Sequence, residues 1–109
     1  MLYWFCLAGA IALEIAGTLS MKLSRGFTVT LPSVLLFVFY AGSFSLMTVA
    51  IRRIDMSVSY AIWSGVGTAT IALIGVSWFK ESLTAVQIAS IVLIIVGVVG
   101  LRAGAAAPG

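Results

Sequence analysis

The stretch LYWFCLAGAIALEIAGTLSM, residues 2–21, carries a single charge, that of Glu14. A helix of about 20 apolar residues is about 30 Å long, which matches the hydrocarbon core of a bilayer. Across the whole chain of 109 residues, 62% are hydrophobic and 8% are charged, and the mean hydropathy is +1.24. An ordinary soluble domain has roughly 25% charged residues. Residues 2–21 therefore predict a helix that spans a membrane.

Three further stretches have the same character. Each is continuously apolar, whereas a barrel strand alternates apolar and polar residues. Helices are also favoured because a helix satisfies its own backbone hydrogen bonds in lipid. The predicted spans are residues 2–21, 33–51, 57–79 and 85–101. The expected fold class is an all-α integral membrane protein with four transmembrane helices per chain.

Little of the chain lies outside these spans. We expect one transmembrane domain over residues 1–109, with residues 103–109 as a frayed tail. The first span lacks the basic region of a signal peptide, so we expect it to be retained. No extramembrane domain can be built from what remains. Any substrate must therefore bind between helices.

The connections contain residues that favour helix starts. Pro32 is compatible with a first helical turn. Candidate N-caps are Asp55 or Ser57 for the third helix, and Ser82 or Thr84 for the fourth. The single cysteine, Cys6, permits no intrachain disulfide.

The six basic residues are divided equally between the two membrane sides. If the helices alternate in direction, the sides carry Arg52, Arg53 and Arg102, and Lys22, Arg25 and Lys80. Orientation normally follows the side richer in Lys and Arg. A weak bias that fixes one orientation, and dual insertion with antiparallel pairing of two copies, both stay open. The basic residues form no stripe, so nucleic-acid binding is not predicted despite the net charge of +3.

Glu14 is the most informative residue of the first span. A charge at the centre of a spanning helix costs about 2.5 to 3.5 kcal/mol on insertion scales, so such groups usually face a cavity or a partner. Its neighbours at helical spacing include the small residues Ala10, Gly17 and Thr18. They leave space for a ligand or for close helix packing. A purely structural role, in which Glu14 hydrogen-bonds Thr18 or completes a buried network, is the alternative.

The other acidic residues are poor candidates for an intramembrane role. Asp55 and Glu81 fall at predicted helix ends, and the chain has no histidine. Glu14 is therefore the expected intramembrane proton carrier, since removal from water favours a protonated carboxyl group. No Lys or Arg lies at comparable depth in the later spans. A cationic substrate is the simplest counter-charge, and it would compete with the proton for Glu14.

The third span adds an aromatic surface in SYAIWSGVGTA, residues 59–69. Tyr60 and Trp63 are three residues apart and share a helix face, and aromatic faces attract cations. An interfacial aromatic belt is the alternative. In the second span, Tyr40 and Ser43 are placed to face the same cavity, although ordinary packing would explain both.

Two small-residue patterns concern helix geometry. Gly65 and Gly67 in the third span are compatible with a hinge or with close packing. Ser90 and Gly97 in the fourth span lie one heptad apart, which suggests a helix-pairing surface.

Four motifs together resemble one known family. They are AxxxExxGTxxMK (residues 10–22), LPS (31–33), YAIWSGVGT (60–68) and FxExL (79–83). With four helices in about 110 residues, they resemble the small multidrug resistance family of bacterial transporters, from about Trp4 to Arg102. The resemblance implies a multi-pass protein of the bacterial inner membrane that exports cations in exchange for protons. It also implies an antiparallel homodimer, or a heterodimer with a paired homologous chain.

The resemblance also implies residue roles. Glu14 would bind the proton or the cation, Gly65 and Gly67 would let the third helix bend, and Ser90 and Gly97 would lie in the dimer interface. The implied substrate-binding residues are Ala10, Gly17, Thr18, Tyr40, Ser43, Tyr60 and Trp63. No cofactor, metal site or enzymatic activity is expected.

Two features bear on the subtype. Guanidinium exporters of the family tend to carry a tryptophan at the position of Gly17, so the resemblance favours export of lipophilic, aromatic or quaternary ammonium cations. Export of guanidinium or another small cation is the alternative. Lys80 departs from the glycine often found there, which affects loop charge and insertion.

The alternative from another functional class is a non-transporting membrane assembly subunit. A proteolipid-type assembly subunit passes protons through a membrane carboxylate without transporting a substrate. Such subunits usually have two helices and need no aromatic cation site, so four predicted spans argue against this class.

Overall fold

The computed structural model describes residues 1–106, and their regular structure is helical. The four helices are α1 (Leu2–Leu23), α2 (Thr30–Ala50), α3 (Met56–Trp78) and α4 (Ala85–Ala106). Each contains a segment long and apolar enough to cross a membrane. The prediction of four membrane-length helices is confirmed.

The contacts divide the chain into two compact units. The first comprises Met1–Ile54 and contains α1 and α2, and the second begins at Asp55 and contains α3 and α4. Each unit is a helical hairpin in which consecutive helices pack against each other.

The helix bounds differ from the prediction mainly at two places. Helix α2 begins at Thr30 rather than at residue 33, because proline fits the first turn and Pro32 therefore does not mark the start. The frayed tail predicted for residues 103–109 is wrong for its first part, since α4 continues to Ala106. Alanine has the highest helix propensity and occupies three of residues 103–106. Residues 107–109 of the predicted tail lie outside the described residues.

Glycines allow α1 and α2 to approach closely. A Cβ atom at Gly9 would lie 2.9 Å from Leu46 Cδ1, and one at Gly42 would lie 2.9 Å from Leu13 Cδ1. Each glycine therefore receives a leucine of the opposite helix. Leu7, which is 1% exposed, belongs to the same buried core.

The turn between α1 and α2 is organised by Ser24. Its buried hydroxyl donates to the Met21 carbonyl oxygen over 2.8 Å, and its own carbonyl oxygen accepts from the amides of Thr28 and Val29. Within this turn, Gly26 adopts a φ of +68°, which glycine accommodates without steric cost.

The start of α4 is held by a capping box. The Gln87 amide donates to Thr84 Oγ1 over 3.1 Å, and the Thr84 amide donates to Gln87 Oε1 over 2.9 Å. Thr84, of the two candidates, is therefore the N-cap. Asp55 occupies the N-cap position of α3, but its side chain forms no capping hydrogen bond.

Many large apolar side chains lie on the surface of the chain. Phe5, Phe37 and Leu73 are more than half exposed. In water such a surface would be unfavourable, whereas in lipid it costs nothing. None of the described residues of α4 is buried. The α4 surface is therefore available for lipid or for another chain.

Candidate functional site

Glu14 lies near the middle of α1, where the α1–α2 hairpin provides a short polar network. Thr18, one turn later, donates from Oγ1 to Glu14 Oε1 over 3.2 Å. The Tyr40 hydroxyl reaches across from α2 and lies 2.6 Å from Thr18 Oγ1. The structure thus brings together three of the predicted site residues, although Tyr40 is 26 positions from Glu14 in the sequence.

The direction of this network follows from the number of hydroxyl protons. Thr18 has one proton, and it is given to Glu14. While Glu14 is ionised and accepts the Thr18 proton, Tyr40 is the donor in the short contact between Thr18 and Tyr40. The hydrogen bonds run from the Tyr40 hydroxyl through Thr18 to the carboxylate. A substitution at Tyr40 can therefore affect the position of the Glu14 carboxylate without direct contact.

The second carboxylate oxygen has different surroundings. Glu14 Oε2 is buried and has no hydrogen-bond partner within residues 1–106. A buried oxygen without a partner is unfavourable, and more so when it is charged. A proton or a bound cation would satisfy it. The structural alternative from the sequence, a bond to Thr18, is present, but it occupies one oxygen only.

Gly17 leaves space for the Tyr40 ring to pack against α1. A Cβ atom at this position would lie 3.1 Å from both Cδ2 and Cε2 of Tyr40. The ring also stacks with that of Phe44, with centroids 6.2 Å apart. The absence of a side chain at Gly17 therefore sets where the Tyr40 hydroxyl can lie.

A hydrogen bond between Ser43 and Ala10 connects the two helices one turn before Glu14. The Ser43 hydroxyl donates to the Ala10 carbonyl oxygen over 2.6 Å, and both residues are fully buried. This hydrogen bond places α2 against α1. Direct contact of either residue with a substrate stays a prediction.

The second unit contains the aromatic pair. The rings of Tyr60 and Trp63 meet edge to face, with centroids 5.4 Å apart and an interplanar angle of 67°. Tyr60 is 59% exposed, whereas Trp63 is half-buried. Such a pair presents an electron-rich ring face that can receive a cation. Their role in substrate binding stays a prediction.

The predicted hinge glycines are buried in a helix that runs without interruption. A Cβ atom at Gly65 would lie 2.6 Å from Val98 Cγ2, so this glycine lets α4 approach α3. Gly67 is also buried. Close packing is the role that the structure displays for Gly65, and bending stays a prediction.

The predicted pairing residues of α4, Ser90 and Gly97, are exposed. The Ser90 hydroxyl donates back to the Val86 carbonyl oxygen over 2.7 Å, as exposed serines of membrane helices often do. A Cβ atom at Gly97 would meet nothing within 4 Å. The surface around these residues is open in the single chain, which is compatible with the predicted dimer interface.

One arrangement was not foreseen from the sequence. The side chain of Glu81 folds back against Gly75 near the end of α3. A charged residue after a helix normally indicates a solvated end, and only the backward turn of the chain at Lys80, with a φ of +57°, brings the carboxylate to the glycine. Spacing alone gives no signal for this contact.

Comparisons with known proteins agree with this architecture. The family model described as Small Multidrug Resistance protein matches residues 2–94. The uncharacterized membrane protein YvaE of Bacillus subtilis (strain 168) is 49% identical over 99 residues, which cover 91% of this chain and 83% of the relative. The multidrug resistance protein EbrA of Bacillus atrophaeus is 44% identical over 93 residues, which cover 85% of this chain and 89% of the relative.

Proposed function

Because the chain belongs to the small multidrug resistance family, we propose that this multi-pass membrane protein is a proton-coupled antiporter of lipophilic, aromatic or quaternary ammonium cations. One observation carries the proposal. Glu14, in a membrane-length helix, has one oxygen held by the Thr18–Tyr40 chain and a second oxygen that lacks a partner within the described residues. This second oxygen can accept either a proton or a cation. Export of several drugs is further supported by the name of the relative EbrA, a multidrug resistance protein.

The proposed cycle follows from competition at this carboxylate. A cation binds to ionised Glu14 on the cytoplasmic side as protons are released, and the assembly then exposes the site to the other side. Protons bind there and displace the cation. If two Glu14 carboxylates lie close together in a dimer, their protonation belongs to the pair rather than to either residue.

Selection among cations is assigned to the aromatic side chains. Tyr60 and Trp63 present ring surfaces that suit a delocalised or quaternary charge, for which each contact contributes about 0.5 to 2 kcal/mol. Gly17 leaves its space to the Tyr40 ring. A small guanidinium ion would gain less from ring faces and more from hydrogen-bond acceptors, and guanidinium export is the second candidate.

The proposed assembly is an antiparallel dimer in a bacterial inner membrane. It is supported by the equal division of the six basic residues and by the open surface around Ser90 and Gly97. Two copies that insert in opposite directions would give the inverted symmetry on which alternating access relies in larger transporters. A paired homologous chain could replace one copy.

The test is a transport assay with the chain alone in liposomes. With a pH gradient imposed, we expect tetraphenylphosphonium to accumulate against its concentration gradient, and guanidinium to accumulate much more slowly. Faster guanidinium transport would favour the second candidate. Absence of transport by the chain alone, with recovery on adding a paired chain, would establish a heterodimer.

The same preparation tests the proteolipid-type alternative. We expect cross-linking in the membrane to stop at dimers that contain both orientations. A parallel ring of higher order, together with absence of cation transport, would contradict the antiporter.

A further inference from the structure

A second recognition feature lies within the second unit. A groove of about 540 Å³ runs between α3 and α4 at the end where the two helices are connected. Nine of its twelve lining residues are apolar, two are serines, and Glu81 is the charged one. We call it the α3–α4 groove. An apolar groove with one carboxylate is complementary to a molecule that has one cationic group and a single apolar chain.

The carboxylate of Glu81 is placed by the end of α3. The Glu81 amide donates to the Gly75 carbonyl oxygen over 3.0 Å, which turns the chain back on the helix. Its side chain then lies over Gly75, where an added Cβ atom would collide with Oε1 and lie 3.2 Å from Cδ. The absence of a side chain at Gly75 therefore lets the Glu81 carboxylate lie against the helix.

The charge of this carboxylate is not neutralised by any residue that the structure describes. No side chain of residues 1–106 forms an ion pair or a hydrogen bond with the Glu81 carboxylate. The Glu81 side chain is exposed, and two residues, Phe79 and Lys80, separate it from the end of the membrane-length helix α3. Its charge is therefore available to a cation, with the modest attraction of an exposed ion pair.

We infer that the α3–α4 groove binds single-chain amphiphilic monocations of the alkylammonium class, with the ammonium group on Glu81 and the alkyl chain along the groove. The groove runs beside α4 from Ile88 to Ile95, a rise of about 10 Å. It would receive such cations directly from the bilayer leaflet. Glu14 is not among the residues that line the groove, and the inference goes beyond the proposed function.

The headgroup, rather than the chain, must supply the selectivity. An alkyl chain already lies in an apolar medium when it is in the bilayer, so it gains no hydrophobic free energy by entering a protein groove. Neutral amphiphiles therefore have little reason to bind. In a zwitterionic phospholipid, repulsion between its phosphate and the Glu81 carboxylate offsets the attraction of its ammonium group. A single-chain cation combines the required shape and charge.

The experiment uses the full chain in nanodiscs, with spin-labelled dodecyltrimethylammonium as the probe and spin-labelled dodecanol as its neutral match. All variants carry Glu14→Gln, so that binding at Glu14 does not contribute. We expect the cation to be immobilised in preference to the alcohol. Glu81→Gln should weaken cation binding by about threefold to fivefold, the range of an exposed ion pair.

Two further variants separate position from charge. Gly75→Ala keeps Glu81 but displaces its carboxylate, so we expect cation binding to weaken by about twofold. The flexible glutamate can move aside, and the fold should be retained. Ser82→Ala, in the same lining, should leave cation binding unchanged. High salt should reduce the preference for the cation.

Several outcomes would overturn the inference. They are an unchanged cation affinity in Glu81→Gln, equal effects on the cation and the alcohol, displacement of the cation by zwitterionic lipid, and protection of the groove by a second copy of the chain. Because Glu14→Gln is present throughout, failure of proton-coupled export would not abolish groove binding. Absence of groove binding in a chain whose wild type exports cations would overturn this inference alone.

Discussion

At the scale of single residues, Glu14 presents its two carboxylate oxygens to different surroundings. The sequence indicates its importance, because a lone carboxylate among small residues in an apolar span is costly unless it is used. It also places Thr18 within reach, one helical turn away. The sequence could not predict that Tyr40 completes the chain to Thr18, since this contact depends on how α2 packs on α1. The packing in turn depends on Gly17, whose missing side chain leaves room for the ring.

The hydroxyl of Thr18 is expected to position the carboxylate for cation binding. Thr18→Val keeps the shape but removes both hydrogen bonds, so we expect cation affinity at fixed pH to fall by about fivefold, or about 1 kcal/mol. Equilibrium binding of tetraphenylphosphonium to the purified protein measures this change. Thr48→Val is the matched control, because its hydroxyl is exposed and bonded to the Phe44 carbonyl oxygen. Equal affinities of the two variants would remove the network from the binding site.

The hydroxyl of Ser43 is expected to contribute to stability. Ser43→Ala removes the buried bond to Ala10, which should lower the free energy of unfolding by about 0.6 to 1.7 kcal/mol, as for hydrogen bonds between membrane helices. Reversible unfolding in a denaturing detergent measures it. Ser45→Ala, two residues along α2, should have little effect because that hydroxyl is exposed and bonds only its own helix. If both variants unfold alike, the Ser43 bond does not hold the hairpin together.

At the scale of the helices, hydrophobicity and length were sufficient to predict all four elements. The ends of the helices were harder to predict from the sequence. Thr84 and Ser82 are both plausible N-caps, and the choice depends on Gln87 returning the hydrogen bond to Thr84. Helix α4 extends to Ala106, past residue 103 where the tail was predicted to begin. The contacts between helices depend on side-chain fit, which a single sequence does not display.

The contact between Gly65 and Val98 is expected to set the separation of α3 and α4. In Gly65→Ala the new methyl group would lie 2.6 Å from Val98 Cγ2, so we expect a loss of about 1 to 3 kcal/mol in the free energy of unfolding. Adding Val98→Ala should restore much of this loss. In Gly100→Ala a methyl group meets nothing within 4 Å, and stability should not fall. Failure of the double variant to recover would show that the loss arises elsewhere than at this contact.

At the scale of the whole molecule, the chain exposes surfaces that a single copy does not use. No described residue of α4 is buried, and the surface at Gly97 is open. The equal distribution of basic residues gives the insertion machinery no clear orientation. Both features agree with a chain that works as an antiparallel pair. The sequence alone could show the charge balance, but only the structure shows how little of α4 the chain itself covers.

The charge balance predicts that orientation can be shifted by a small change. Removing Arg52 and Arg53 leaves one basic residue against three, so the side of Lys22, Arg25 and Lys80 should become cytoplasmic. Labelling of Gly104→Cys from outside the cell, in a Cys6→Ser background, reports the orientation. We expect both orientations without the arginine changes and one orientation with them.

Export provides the second readout of this prediction. The Arg52→Ala/Arg53→Ala variant should lose activity alone and regain it with an oppositely biased Arg25→Ala/Lys80→Ala chain. A single orientation of the unbiased chain, with full export activity, would contradict the antiparallel pair.

The central claim is that the proton and the cation use the same carboxylate. Its most direct test is the accumulation of tetraphenylphosphonium in liposomes driven only by a pH gradient, with Glu14→Gln compared with Asp55→Asn. Asp55 lies outside the membrane-spanning helices and its side chain forms no capping hydrogen bond, so its variant should keep transport. Glu14→Gln should fold and insert but accumulate no cation. Uphill accumulation by Glu14→Gln would contradict the account.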